Sequence, residues 1–189
     1  MELLEKRILS DAKVLPGNII KVDGFLNRMI DVSLIDAMAK EWHRLFANEG
    51  VTKVLTVESS GIALASVTGL EFGVPALFAR KVGSSTSKND LSVKVVSFTH
   101  GNTYTVSIPK DLISENDRVL IVDDLIANGS ALKALIKVCE KGGAKVVGVG
   151  IAIEKAYQKG GSEIREKGYR VESLARIKSI DESGNIEFC

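Results

Sequence analysis

At 189 residues, with 45% hydrophobic and 26% charged side chains, the chain has the size and apolar content to bury a substantial core within one domain. Its 25 Lys and Arg balance 24 Asp and Glu, leaving a net charge of +1, which excludes the strong positive field of a protein that works on nucleic acid or on an anionic membrane. The sequence offers no apolar leader and no uncharged run long enough to span a bilayer, and Cys139 and Cys189 lie too far apart for a disulfide framework or a metal knuckle, so a cytoplasmic protein with no nucleic-acid or membrane partner is expected.

The chain opens with a short amphipathic helix over 3–9, then an irregular or extended stretch past Pro16, Gly17 and Phe25. Over 33–48 the apolar residues Leu34, Ile35, Met38, Trp42, Leu45 and Phe46 follow a 3.6-residue period, with Ser33 and Asp36 as cap candidates and Gly50 just past the end. That pattern predicts a core-facing helix in which Trp42 and His43 are structural. A β-branched run at 51–58, a helical stretch at 61–71 and a strand at 75–80 make a β-α-β unit. The alternating segments 92–99 and 103–108, joined at His100, Gly101 and Asn102, predict a hairpin that projects from the body. The α/β rhythm then returns: a strand over 118–124, a helix over 130–141 stopped by Gly142 and Gly143, and a strand over 145–153. A weaker helix at 162–167, a strand at 169–177 and a last short strand at 186–188 complete the series.

The near-continuous apolar runs VLIV and VVGVGIAI suit strands covered on both faces, so the fold class is α/β with a mainly parallel, twisted sheet flanked by helices. GVGIAI is no dinucleotide fingerprint, because it lacks a third Gly and lies inside a strand rather than in the turn after it.

Asp123 and Asp124 close an apolar strand, and LIANGSAL follows them with Asn, Gly and a capping Ser before a helical pattern. In open α/β sheets, ligands sit at the carboxyl ends of strands, where a helix N-terminus offers free N–H groups to a phosphate. Adjacent carboxylates would repel a bare anion, so they fit neutral hydroxyls or a metal while the backbone from Ala127 to Leu132 takes the negative charge. A ribose 5-phosphate carries both kinds of group. The plainer reading is that the two acids end the strand and cap the turn.

VLIVDDLIANGSA, over 119–131, resembles the phosphoribosyl pyrophosphate motif of the type I phosphoribosyltransferases: apolar strand, two acids, two residues, then a small Gly-rich loop. It departs from the commonest form, which has Thr at Asn128, Gly at Ser130 and Thr at Ala131. An ANG loop is similar to that of bacterial enzymes acting on xanthine, and the likeness extends along essentially the whole chain. The resemblance implies a type I phosphoribosyltransferase fold over 1–189, with a base-covering N-terminal hood at 1–30 and a mobile hairpin at 82–110 that closes over the ligand. It implies transfer of phosphoribosyl from phosphoribosyl pyrophosphate to xanthine. The other substrates left open are hypoxanthine and guanine, or orotate, with a purine-sensing transcription regulator as the non-enzymatic alternative.

Residue by residue, the resemblance implies that Asp123 and Asp124 hold the ribose and, indirectly, Mg²⁺. It implies that Ala127, Asn128, Gly129, Ser130 and Ala131 hold the 5′-phosphate. Ser59 and Ser60, in a turn that is otherwise generic, would hold the pyrophosphate. Arg80 and Lys81, equally readable as a solvated strand end, would meet its charge, joined by Ser84, Lys88 and Tyr104 from the hairpin. Ile20, Asn27 and Lys155 would form the base pocket, Lys155 reading the 6-carbonyl and Asn27 the 2-carbonyl; on its own terms Asn27 is an ordinary loop residue. The resemblance also implies a homodimer.

Overall fold

The computed structural model describes residues 1–83, 89–96 and 103–189. Ser84 and Lys88, and the turn at His100, Gly101 and Asn102, lie outside the described residues.

In chain order the elements are α1 (Glu2–Asp11), β1 (Lys13–Leu15), β2 (Ile19–Lys21), a π-helical turn (Asp23–Asn27), α2 (Val32–Phe46), β3 (Lys53–Val57), α3 (Gly61–Phe72), β4 (Ala76–Val82), β5 (Asp90–Val96), β6 (Thr103–Pro109), β7 (Arg118–Ile126), α4 (Ser130–Lys141), β8 (Lys145–Lys155), α5 (Lys159–Glu166), β9 (Val171–Ile180) and β10 (Ile186–Phe188). Eight strands form one sheet in the order β10-β9-β8-β7-β3-β4-β6-β5, and β1 and β2 pair separately. The five central strands run parallel; β10, β6 and β5 are antiparallel at the two flanks.

Alternation along the strands divides the core. Val54, Leu120 and Val122 pack with α1, α2, α3 and the N-terminal segment on one face, while Leu55, Val119 and Ile121 pack with α4 and α5 on the other. Trp42 and Phe46 are fully buried, and the glycines of β8 make room for them. A Cβ at Gly148 would stand 2.2 Å from Phe46 Cε1, and one at Gly150 2.8 Å from Trp42 Nε1, which is why the GVG run belongs to a strand. Cys139 is buried in α4, and burial pushes its thiol up to about 12. Among the described residues no helix is long and apolar enough to cross a membrane.

Several sequence expectations need correction. The cap of α2 is Asp31, whose carboxylate accepts the Leu34 N–H at 3.1 Å; Asp36 instead pairs with Lys40 one turn on at 2.6 Å. Over their described residues, β5 and β6 extend the main sheet rather than projecting from it: β6 pairs with β4, and Val106 and Ile108 are fully buried. The irregular stretch after α1 contains the β1–β2 hairpin and the π-helical turn. Both are too short to show a period in sequence.

Candidate functional site

β7 runs to Ile126 rather than ending at the acidic pair, so Asp123 and Asp124 belong to the last turn of pleat before the loop. Asp123 pairs in register with Ile151 of β8. Only 7% of Asp123 is exposed, whereas Asp124 is half-buried. Its Oδ1 accepts the Asp124 N–H at 3.0 Å. Burial, reinforced by the charge of Asp124, raises the Asp123 pKa well above the usual carboxylate range, and the Lys81 charge only partly opposes this. A buried carboxylate held at such a cost is poised for a hydroxyl donor or a cation.

After Ile126 the chain turns through Ala127 and Asn128 to Gly129, whose φ of +69° puts it in the left-handed region. Gly129 is the N-cap residue of α4, so Ser130 is the first helical residue and not the cap that the sequence suggests. No side chain caps this helix end. Its first N–H groups and the dipole therefore remain available to a ligand. They open on a cavity of about 190 Å³ lined by residues 125–132 together with Asp123, Tyr104 and Ile151. Asp123 and the open helix end thus share one concavity, with Asp124 the next residue along β7.

The loop between β3 and α3 ends against Asp123. The Glu58–Ser59 peptide is cis, and Ser60 precedes α3 without a side-chain cap bond. A Cβ at Gly61 would lie 1.8 Å from Thr56 Oγ1 and 3.1 Å from Asp123 Oδ1, so only glycine lets α3 start against the acid. Glu58 accepts the Lys81 N–H at 2.7 Å and lies 3.9 Å from Arg80 Nε. Lys81 Nζ stands 6.0 Å from the Tyr104 ring centroid, and Tyr104 is raised above its ordinary pKa by burial and by Asp123. Arg80, with 70% of its side chain exposed, points to the other side of the strand, as alternation requires.

Lys155 and the β1–β2 turn meet at the end of β8. Lys155 is the last residue of that strand, 9% exposed, and burial lowers its pKa. Its ammonium donates to the Asn18 carbonyl at 2.8 Å. Asn18 takes φ +58° in the β1–β2 turn, and Ile20 of β2 is buried beneath it. Asn27 ends the π-helical turn, with its Oδ1 buried and without a hydrogen-bond partner among the described residues. The fold therefore brings the β1–β2 turn onto Lys155, and it leaves Asn27 with a spare polar atom among the described residues. Sequence reasoning missed the contribution of α5, whose Gly160 N–H donates to the Ala127 carbonyl at 3.0 Å. The available signal was the Gly160–Gly161 pair, a poor way to begin a helix unless close approach demands it.

With this geometry in hand, comparison with known proteins is informative. The profile of the phosphoribosyl transferase domain matches residues 22–184. Over all 189 residues the chain is 49% identical to a xanthine phosphoribosyltransferase of Pediococcus pentosaceus, covering 100% of both chains. It is 48% identical to one of Bacillus mycoides, covering 100% of this chain and 95% of that one. Among solved structures it is similar to APRTase from Giardia lamblia complexed with 9-deazaadenine, with a TM-score of 0.80 and 23% identity over 93% of this chain and 98% of that one. That likeness is one of fold.

Proposed function

The chain belongs to the phosphoribosyl transferase domain family, and from that premise we propose that it transfers the 5-phosphoribosyl group of phosphoribosyl pyrophosphate to N9 of xanthine, giving xanthosine 5′-monophosphate and pyrophosphate. The observation that carries the reaction is the cavity shared by the buried Asp123 and an uncapped helix N-terminus, with Asp124 beside it in the chain. A ribose 5-phosphate offers a diol to the first and a phosphate to the second. The base assignment is supported by full-length identity of nearly one half to xanthine enzymes.

In this reading the C1′–O bond to pyrophosphate breaks as the C1′–N9 bond forms, and N9 gives up its proton. The ribose passes through a cationic state, so the protein's work is alignment and charge complementarity rather than covalent catalysis. Asp123 and Asp124 hold the ribose hydroxyls and place negative charge beside the developing cation. Backbone N–H groups across residues 127–131, with the free Ser130 hydroxyl, hold the 5′-phosphate. Ser59 and Ser60 receive the pyrophosphate, and Lys81 and Arg80 meet its charge from the two sides of β4.

The donor set of two adjacent carboxylates, one of them buried, fits Mg²⁺ held indirectly through ribose oxygens and water. Bound with the substrate, that ion would supply positive charge against the departing pyrophosphate. On the base side Lys155 exchanges the Asn18 carbonyl for the purine 6-carbonyl, Asn27 reads the 2-carbonyl, and Ile20 packs on the ring. Residues 1–30 cover the base and the 82–110 hairpin covers the pyrophosphate, both as parts of one domain spanning 1–189. The enzyme works as a cytoplasmic homodimer on small molecules.

A steady-state assay of phosphoribosyl pyrophosphate with xanthine, guanine, hypoxanthine, adenine and orotate tests the proposal. Xanthine should give the highest kcat/KM. A preference for guanine would remove the base assignment, and no turnover with any base would remove the reaction.

A further inference from the structure

The loop that faces the proposed 5′-phosphate is held from behind. The Ala127 carbonyl accepts the Gly160 N–H at 3.0 Å, and the Asn128 carbonyl accepts from Lys133 Nζ at 3.2 Å. Across a planar trans peptide, a carbonyl and the following N–H point in opposite directions. Fixing these two carbonyls therefore turns the N–H groups of Asn128 and Gly129 away from α5. The cavity opens on that other side, and no residue of α5 lines it.

The contact is too close for any side chain. A Cβ at Gly160 would stand 2.3 Å from the Ala127 carbonyl oxygen and 2.7 Å from the Gly129 nitrogen, and one at Gly129 would stand 3.1 Å from Gly160 Cα. Two ion pairs keep α5 pressed in place. Glu163 pairs with Lys133 itself, and Arg165 makes a two-pronged bond to Glu154 at 2.7 and 2.7 Å. Glu154 is 2% exposed, also accepts from Ser173 Oγ at 2.5 Å, and pairs with Arg176, whose Nε lies 3.3 Å away. A Cβ at Gly161 would lie 2.2 Å from Glu154 Oε1. Such a buried, fully satisfied carboxylate is a stiff anchor, and it is the neighbour of Lys155.

We propose that α5 is a clamp that presets the phosphate loop, with Gly160, Lys133 and the Glu154–Arg165 pair as positioning residues for the ribose 5′-phosphate. The proposal rests on the reading of that loop given above. None of these groups lines the cavity except through the loop they hold. Their effect is to have the N–H donors aimed before the ligand arrives, so that binding need not order them.

Calorimetric titration of the full chain with ribose 5-phosphate tests this without reference to any base. Gly160→Ala should weaken binding by roughly tenfold or more, and Lys133→Met by about fivefold, as loss of a charged hydrogen bond at the loop implies. Lys133→Arg should restore most of the loss. In the turnover assay the Lys133 variants should raise KM for phosphoribosyl pyrophosphate and leave KM for the base unchanged. If Gly160→Ala does not fold, the Lys133 series decides alone. Wild-type affinity in Lys133→Met, no rescue by Lys133→Arg, or parallel rises in both KM values with a fall in Tm would overturn the clamp. Wild type that binds ribose 5-phosphate but turns over no 6-oxopurine would sink the proposed reaction while the binding series still judged the clamp; wild type that binds none would sink both.

Discussion

The loop at 127–132, which is proposed to hold the 5′-phosphate, and the N-terminal segment at 1–30 reach the same carboxyl edge of the sheet by different means. The loop is continuous with a central strand, closed by a left-handed glycine and braced by α5, and it presents mostly backbone. The N-terminal segment lies outside the main sheet as a two-stranded hairpin and one π-helical turn. Side chains attach it: Phe25 and Leu26 are fully buried, Arg7 stacks 5.4 Å over Phe25, and Arg7 pairs with the α2 cap Asp31 at 2.8 Å. It meets the site through single polar contacts, such as Asn18 to Lys155. On the proposed function, chemistry common to every substrate is built on backbone, and discrimination among bases on a few replaceable side chains.

The sharpest way to break this comparison is at its catalytic side. Asp123→Asn with Asp124→Asn should lower kcat by roughly a thousandfold or more, as loss of charge beside a cationic transition state requires. More than a tenth of wild-type turnover would refute the assigned role. Stability should move the other way. Because the folded pKa of Asp123 is raised, its ionisation is a cost to the fold: the stabilising protonated form prevails at acid pH and is lost as pH rises through that raised value. Asp123→Asn alone keeps an acceptor for the Asp124 N–H and removes the buried charge, so its ligand-free Tm should exceed that of wild type at neutral pH and converge with it at acid pH. Differential scanning fluorimetry across that range reads the sign directly.

On the base side, Lys155→Ala should reduce kcat/KM for xanthine, guanine and hypoxanthine together, by about ten- to a hundredfold, since each carries a 6-carbonyl. Asn27→Ala should cost about five- to a hundredfold with xanthine and leave the other two bases within about twofold. Equal losses for all three would make Asn27 a scaffold residue. The smallest effect belongs to the loop's own side chains. Asn128 is exposed, so Asn128→Thr should change KM for phosphoribosyl pyrophosphate by less than about threefold, provided that backbone donors hold the phosphate. A tenfold change would show that side-chain identity matters there after all.

How much could be read beforehand follows the same division. Long periodic elements such as α2 and α4, and the apolar runs of β7 and β8, announced themselves because burial on one or both faces writes a pattern into the sequence. DD followed by ANGS marked the loop because adjacent acids on an apolar strand are costly outside a site, and a glycine after them lets the chain turn into a helix. The hood's hairpin and π-helical turn left no such period. The cap of α2 was misplaced by two residues, since Asp31, Ser33 and Asp36 are all capable of capping and only the direction of the entering chain chooses among them.

The sequence by itself determined an α/β sheet, an acid pair near the end of a buried strand and a Gly-containing loop that feeds a helix, because hydrophobic period and residue-specific backbone freedom are local properties. The tertiary structure alone decided that Asp123 is buried beneath Gly61, that Asn18 lies on Lys155, that the hairpin extends the sheet, and that α5 backs the phosphate loop. Each of these joins residues remote in the chain, through desolvation or through an approach closer than a Cβ allows, and neither quantity exists until the strands are side by side.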